Sequence, residues 1–259
     1  GVYPSKQFSS DDFMSPEHRH FQEDVIQSSI KDITLKSMYS TALSNTQTLR
    51  VGAEFSGISY RPRASRYHFN DLLTGYHKDT IHEYSGDKTL RIASVFAENE
   101  FALAGSFTLN TGLRSSAIVV SEHTYIRLEP RASLLYFIKP NLSIKSSYTL
   151  MHQYLHTLTE PFQEYPRDTW VGINRNIPPS HSHQIALGIY GQEPVTGVEF
   201  GLEPFYKRMG RLIYDISTQT TPDATKTWDE DVLKNGDGEV YGAEAVSYTH
   251  LTLPTKRIV

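Results

Sequence analysis

Residues Phe101 to Arg114 read FALAGSFTLNTGLR. Phe101, Leu103, Gly105, Phe107, Leu109 and Leu113 share one parity; Ala102, Ala104, Ser106, Thr108, Asn110 and Arg114 share the other. Successive side chains of a strand project to opposite faces, so this segment read as one strand has a greasy face and a small, wet face. The same alternation recurs along most of the chain, in stretches of about ten residues. It is the pattern of a transmembrane β-barrel, with lipid outside and water or a filled interior within. The expected fold is all-β: an antiparallel transmembrane barrel, present here as about ten strands of a larger one. The expected role is transport rather than catalysis.

Composition fits this reading and narrows it. Of 259 residues 38% are hydrophobic and the net charge is −4, so no basic face for nucleic acid is expected. No apolar run is long enough for a membrane helix, which leaves a strand-built span open because barrel strands carry a polar residue at every second position. The 16 Tyr and 12 Phe suit membrane–water interfaces. With no cysteine, disulfides and thiolate metal sites are excluded for this chain.

Further strands follow the same rule. Ile33, Leu35, Tyr39 and Leu43 oppose Thr34, Lys36, Met38 and Ser40. After a tight turn at Ser44-Asn45-Thr46, Leu49, Val51, Ala53, Phe55 and Gly57 oppose Arg50, Gly52, Glu54 and Ser56. Leu90, Ile92 and Phe96 are set against Arg91 and Ala93, and Glu98-Asn99-Glu100 is read as another tight turn. Ile126, Leu128, Ala132, Leu134, Tyr136 and Ile138 oppose Arg127, Glu129, Arg131 and Ser133, before a turn at Lys139-Pro140-Asn141. Leu142, Ile144, Tyr148 and Leu150 then oppose Ser143, Lys145, Ser147 and Thr149. Later strands carry Ile185, Leu187 and Ile189, then Val198, Phe200, Leu202 and Tyr206, and a last one opens at Val240 and Tyr241.

Long polar excursions are expected near 61–88, 153–183 and 215–238, and a moderate connection near 115–123. Short and long connections therefore alternate. Outer-membrane barrels place short turns at the periplasmic end and long loops outside. The rival reading is an extracellular β-sandwich that binds carbohydrate or protein, and it gives no reason to gather the tight turns at one end. Charge placement agrees with the barrel. An Arg facing hydrocarbon at mid-bilayer costs roughly 2–4 kcal/mol, and Arg127, Glu129 and Arg131 share a parity that one strand orientation turns inward together.

The boundaries are expected as follows. Gly1 to Gln27 is irregular loop, and residues 28–245 form the partial barrel. The chain has no initiator Met and no export signal at its start, so it is expected to be an internal piece. Val246 to Val259 reads VSYTHLTLPTKRIV, and its first residues can be encoded by GTC TCT TAT ACA CAT CT. That resembles a transposase-type sequencing-adapter end read in frame, so the tail is set aside as non-native.

Several segments together resemble one family. They are Thr111-Gly112-Leu113-Arg114, Leu128-Glu129-Pro130-Arg131, Gln153-Tyr154-Leu155-His156, Glu203-Pro204-Phe205-Tyr206-Lys207-Arg208-Met209 and Gly236-Asp237-Gly238-Glu239-Val240-Tyr241-Gly242. As an ensemble they resemble the barrel of TonB-dependent outer-membrane receptors of the Bacteroidota type. The resemblance implies a barrel of about 22 strands around an N-terminal plug. It implies a place in the outer membrane, contact with its lipid, and import of a scarce solute such as a metal chelate, cobalamin or a glycan. It also implies energy from a TonB complex at the inner membrane. Neither plug nor energy-coupling box is found in this chain.

Candidate site residues fall in two groups. Arg127, Glu129 and Arg131 are expected to face the lumen, as a charge ladder or a substrate path. Tyr67, Tyr76, Trp170 and Trp228 lie in aromatic-rich excursions where rings could stack on a ligand. His152-Gln153-Tyr154-Leu155-His156 lacks the Glu and the helix of a zinc protease. His18-Arg19-His20 and His181-Ser182-His183 read as solvated histidines rather than metal ligands. No nucleophile-base pair or phosphate loop is found, so neither catalytic residues nor a cofactor is expected.

Overall fold

A computed structural model describes residues 5–10, 20–71, 76–83, 88–103, 105–121, 123–159, 168–215 and 232–248. These contain thirteen strands and no helix. They are β1 (Ser5–Ser10), β2 (His20–Ser44), β3 (Gln47–Asp71), β4 (Tyr76–Glu83), β5 (Lys88–Leu103), β6 (Phe107–Val120) and β7 (His123–Lys139). They continue as β8 (Leu142–Gln153), β9 (Leu155–Thr159), β10 (Asp168–Gly172), β11 (Ser180–Gln192), β12 (Glu199–Asp215) and β13 (Val232–Tyr248). Eleven form one antiparallel sheet in the order β1-β2-β3-β5-β6-β7-β8-β11-β12-β13, with β4 added on the distal part of β3. β9 and β10 pair only with each other.

One end of the sheet gathers most of the tight turns, as in an up-and-down barrel; the exception is the β6–β7 reversal at Ser121, which lies at the opposite end. Asn45-Thr46 joins β2 to β3, and the Ser44 hydroxyl accepts from the Thr46 N–H. The reversal from β5 to β6 holds Gly105 at φ 63°, and Pro140-Asn141 joins β7 to β8. The turns are tied sideways: the Ala102 N–H donates to Thr46 O, Phe137 N–H to Ser106 O, and Gln192 N–H to Asn141 O. In the β11–β12 connection, Glu193 accepts from the N–H groups of Val195 and Thr196, which hold its carboxyl below the usual range.

The strands differ from the sequence reading at several places. Glu98-Asn99-Glu100 is strand, not turn; β5 runs on to Leu103, so Phe101–Arg114, read above as one strand, is the end of β5, a reversal at Gly105 and the start of β6. Glu100 binds Arg50 of the neighbouring β3, and Glu98 binds Arg131 of β7, one strand further on. The 115–123 connection shrinks to two residues, because Ser121 reverses the chain at φ 51°. Residues 1–27 are not all loop: β1 pairs with the start of β2. The excursions 61–88 and 153–183 each contain strands of their own. Ala245 is not a structural boundary, since β13 carries Val246, Ser247 and Tyr248 into pairing with Gly201, Phe200 and Glu199.

One sheet face exposes its apolar side chains. Ile126 is 66% exposed, Leu35 75% and Val95 61%, beside Phe55, Leu113, Leu128, Leu134 and Leu187. Phe107 and Tyr136 stack there at 4.3 Å, next to the tight turns, where a barrel carries an aromatic girdle. A contiguous greasy face of this extent marks contact with membrane or protein. A β-sandwich would cover it with a second sheet about 10 Å away. Among the described residues the second sheet is the β9–β10 hairpin, and it lies on the opposite, polar face. The structure therefore excludes the sandwich.

Candidate functional site

The polar face carries an ordered charge network. Two of the segments singled out above, Thr111–Arg114 and Leu128–Arg131, are paired neighbours on β6 and β7. Gly112 lies opposite Arg131, and Arg114 opposite Glu129. Glu98 of β5 is opposite Gly112 on its other side. A Cβ at Gly112 would meet Arg131 Cγ at 2.9 Å and Glu98 Cγ at 3.1 Å. The missing side chain thus lets Arg131 reach over β6 and donate from Nη1 to Glu98 Oε1 at 3.2 Å.

Arg114 is the hub. It donates from Nη2 to Glu54 Oε1 at 2.6 Å and to Ser94 Oγ at 2.9 Å, and its Nε lies 3.7 Å from Glu129 Oε2. Ser94 and Ser116 are small enough to sit beneath it, hydrogen-bonded to each other at 2.9 Å. Lys36 approaches Glu54 at 3.9 Å, and Arg50 binds Glu100 at 3.2 Å. The network therefore crosses β2, β3, β5, β6 and β7. Arg131 and Glu98 are about half and a third exposed, and such pairs contribute at most about 1 kcal/mol. The Arg114 hub is four-fifths buried and more sensitive to losing a member.

Glu129 also stands where the sheet splits. β7 and β8 pair from Lys139/Leu142 up to Arg131/Thr149 and no further. The Glu129 carboxylate enters the gap and accepts the His152 N–H at 3.0 Å and the Tyr154 hydroxyl at 3.2 Å. From there the chain leaves the sheet as β9. Burial, and then the facing Glu129 charge, push the Tyr154 hydroxyl above the ordinary phenol range.

The β9–β10 hairpin lies on the polar face at the end remote from the Asn45-Thr46 and Pro140-Asn141 turns. On one side Ile173, Tyr154, Leu155 and Trp170 pack on Tyr60, Leu90, Ile92, Ile118 and Val120. On the other, Leu158, Val171 and Ile177 pack on Val232 and Ile213. Leu90 and Ile92 thus belong to the polar face and are buried, contrary to the sequence reading, while Arg91, Ala93 and Val95 point the other way. Gly172 admits the Tyr60 ring: a Cβ there would meet Tyr60 Cζ at 2.6 Å. The Tyr125 hydroxyl donates to Asn174 O at 2.8 Å. His156 is buried with its Nε2 unpartnered, and burial lowers its pKa to about 4.

Of the lumen-facing candidates, Glu129 and Arg131 lie in the charge network. Arg127 shares their parity, donating to Ile126 O and stacking 5.2 Å from the Tyr125 ring. Trp170 packs against the wall cluster. Tyr67 and Tyr76 sit on β3 and β4, outside the residues whose side chains are described, as is Trp228 altogether. His181 and His183 meet edge to face at 5.6 Å; among the described residues no three acidic or histidine groups could share a metal ion. Arg114 and Ile173 emerge as key residues that the sequence reading did not single out. The Thr-Gly-Leu-Arg segment held the signal for Arg114; nothing marked Ile173.

An antiparallel up-and-down sheet with one greasy exposed face and one charged, partly roofed face is the wall of a membrane β-barrel. The family model described as "TonB dependent receptor-like, beta-barrel" matches residues 3–254, and the chain belongs to that family. Its members are outer-membrane proteins, and they are transporters rather than enzymes. No curated protein matches the sequence. Among solved structures, an iron transporter of Neisseria meningitidis, FrpB, aligns at TM-score 0.60 with 10% identity over 90% of this chain and 38% of its own. The ferripyoverdine receptor of Pseudomonas aeruginosa aligns at 0.55 with 15% identity over 97% and 35%. The RagAB peptide transporter aligns at 0.56 with 10% identity over 98% and 31%. At these identities the likeness is one of fold. The chain spans about a third of the length of these structures.

Proposed function

We propose that this chain is part of the wall of an outer-membrane receptor that binds a scarce solute and imports it with energy from a TonB complex. The observation that carries the reading is the division of the sheet into two faces. The apolar face would lie in lipid, while Arg50, Glu54, Glu98, Arg114, Glu129 and Arg131 would line the lumen. Candidate solutes are those of the structural neighbours, iron chelates and peptides, alongside cobalamin and glycans. The excursions between strands, with Tyr67, Tyr76 and Trp228, are the proposed ligand-contacting surface. A plug domain packed against the charge network and the TonB complex are the proposed partners.

The test is expression of the full-length receptor in outer membranes, with binding of radiolabelled ferric chelates and of peptides measured on cells. Saturable binding of either class, with uptake abolished by deleting the energy-coupling protein, supports the reading. A heat-unmodifiable, detergent-independent soluble protein would overturn it.

A further inference from the structure

We infer that the β9–β10 hairpin is a fixed wedge across the far end of the lumen, not an extracellular loop free to meet ligand, and that Glu129 is the positioning residue at its root. The inference rests on reading the polar face as the lumenal wall.

Three observations carry it. First, the hairpin is apolar on both faces. Trp170 and Val171 are adjacent in a strand, so they point oppositely, and each joins a different cluster. Leu155 and Leu158 divide the same way. A surface loop needs no apolar side, and a lid resting on one wall needs only one.

Second, the two clusters belong to distant strands. β10 lies against β2 and β3, and β9 lies against β12. Between β3 and β12 the sheet order has six steps. Laid flat, that is about 29 Å at about 4.8 Å per strand. A β-ribbon packed on both faces needs walls only about 20 Å apart. The sheet must therefore curve around the hairpin, which spans the trough from wall to wall.

Third, the root is specified rather than slack. The chain leaves β8 where Glu129 takes the freed His152 N–H and the Tyr154 hydroxyl, and Ile173 N–H returns to Tyr154 O. Val171 and Ile173 are fully buried, as are Leu90 and Ile118 on the wall. Swinging the hairpin out would expose all four and leave the Glu129 gap open. The solute route consequently passes beside this element, and Trp170 is committed to the wall.

Hydrogen exchange on the full-length receptor in lipid nanodiscs tests this. A detached two-stranded hairpin is marginal in water, so slow exchange there reports docking rather than the hairpin's own bonds. Amides of His156, Leu158, Val171 and Ile173, which face the partner strand, should exchange as slowly as those of β6 and β7. Fast exchange in the unaltered protein would overturn the wedge. Gly172→Leu should accelerate these amides by about 100-fold, with less than about threefold change in β6 and β7. Should that variant not assemble, Ile173→Ala is expected to give about 30- to 150-fold in the same amides.

Glu129→Leu should accelerate them about tenfold, while Glu129→Gln, which keeps an acceptor for the His152 N–H, stays within about threefold. Equal effects of the two would remove Glu129 from the role. Heat-modifiable mobility, read on the same samples, reports the barrel itself. Its loss in the unaltered protein counts against the function proposed above, and a barrel with a fast-exchanging hairpin counts against the wedge alone.

Discussion

The same strands build two different walls. Near the tight turns, the polar face of β5 and β6 holds Glu98, Glu100 and Arg114; toward the far end the same parity holds Leu90, Ile92, Ile118 and Val120. In the charged part the Arg50–Glu100 and Arg131–Glu98 pairs lie open across strands, while Arg114 is four-fifths buried. The apolar part is buried, because the hairpin covers it. Ser94 and Ser116 mark the border, buried beneath Arg114. Alternation tells which residues share a face. The change of chemistry along one parity tells where something lies on that face.

The largest effect is expected at the border. Arg114→Leu leaves Glu54 and Glu129 buried without their shared cation, and should lower stability by about 3 kcal/mol, read as the urea midpoint of the heat-modifiable band. Across the border, Ile173→Ala should weaken the apolar wall by about 2–3 kcal/mol through its cavity, with the change confined to hairpin exchange. A global loss from Ile173→Ala would mean the two walls are not separable.

Acid should sharpen the contrast. His156 has its folded pKa depressed from 6.5 to about 4, so the unfolded or undocked state binds the extra proton first. Its contribution is complete above about pH 6.5 and is lost as pH falls toward 4. Between pH 7 and pH 5 hairpin docking should weaken by about 2 kcal/mol. His156→Leu should flatten that dependence, and a wild-type hairpin indifferent to pH would contradict the burial of this ring. The smallest effect belongs to the open ladder: Arg131→Ala should change stability by less than about 1 kcal/mol. A loss as large as that of Arg114→Leu would erase the distinction between hub and ladder.

Much of the wall is readable from sequence, for physical reasons. A membrane strand must alternate, so the parity of Val51, Leu113, Leu128 and Ile185 follows directly. Glu98-Asn99-Glu100 misleads because charged and amide residues favour turns in water, yet inside a barrel they serve as wall-lining partners for Arg50 and Arg131. Leu90 and Ile92 mislead similarly: their parity is set by Ser94 and Glu98 further along β5, and an apolar side chain can face the interior once another segment covers it. The hairpin itself is the least legible part. Leu155, Leu158, Val171 and Ile173 are too few, and their contacts too distant in sequence, for periodicity to show that both faces are buried.

Which face of the sheet meets lipid matters most. This chain has no native cysteine, so single cysteines introduced at Leu113, Leu128 and Leu187, and at Ser133, Ser147 and Thr149, can be labelled with an environment-sensitive fluorophore in brominated-lipid vesicles. The leucine positions should be quenched by the lipid, and the hydroxyl positions should instead react with a membrane-impermeant thiol reagent. Quenching at Ser133 and Ser147 with aqueous labelling at Leu128 and Leu187 would invert the wall and contradict the account.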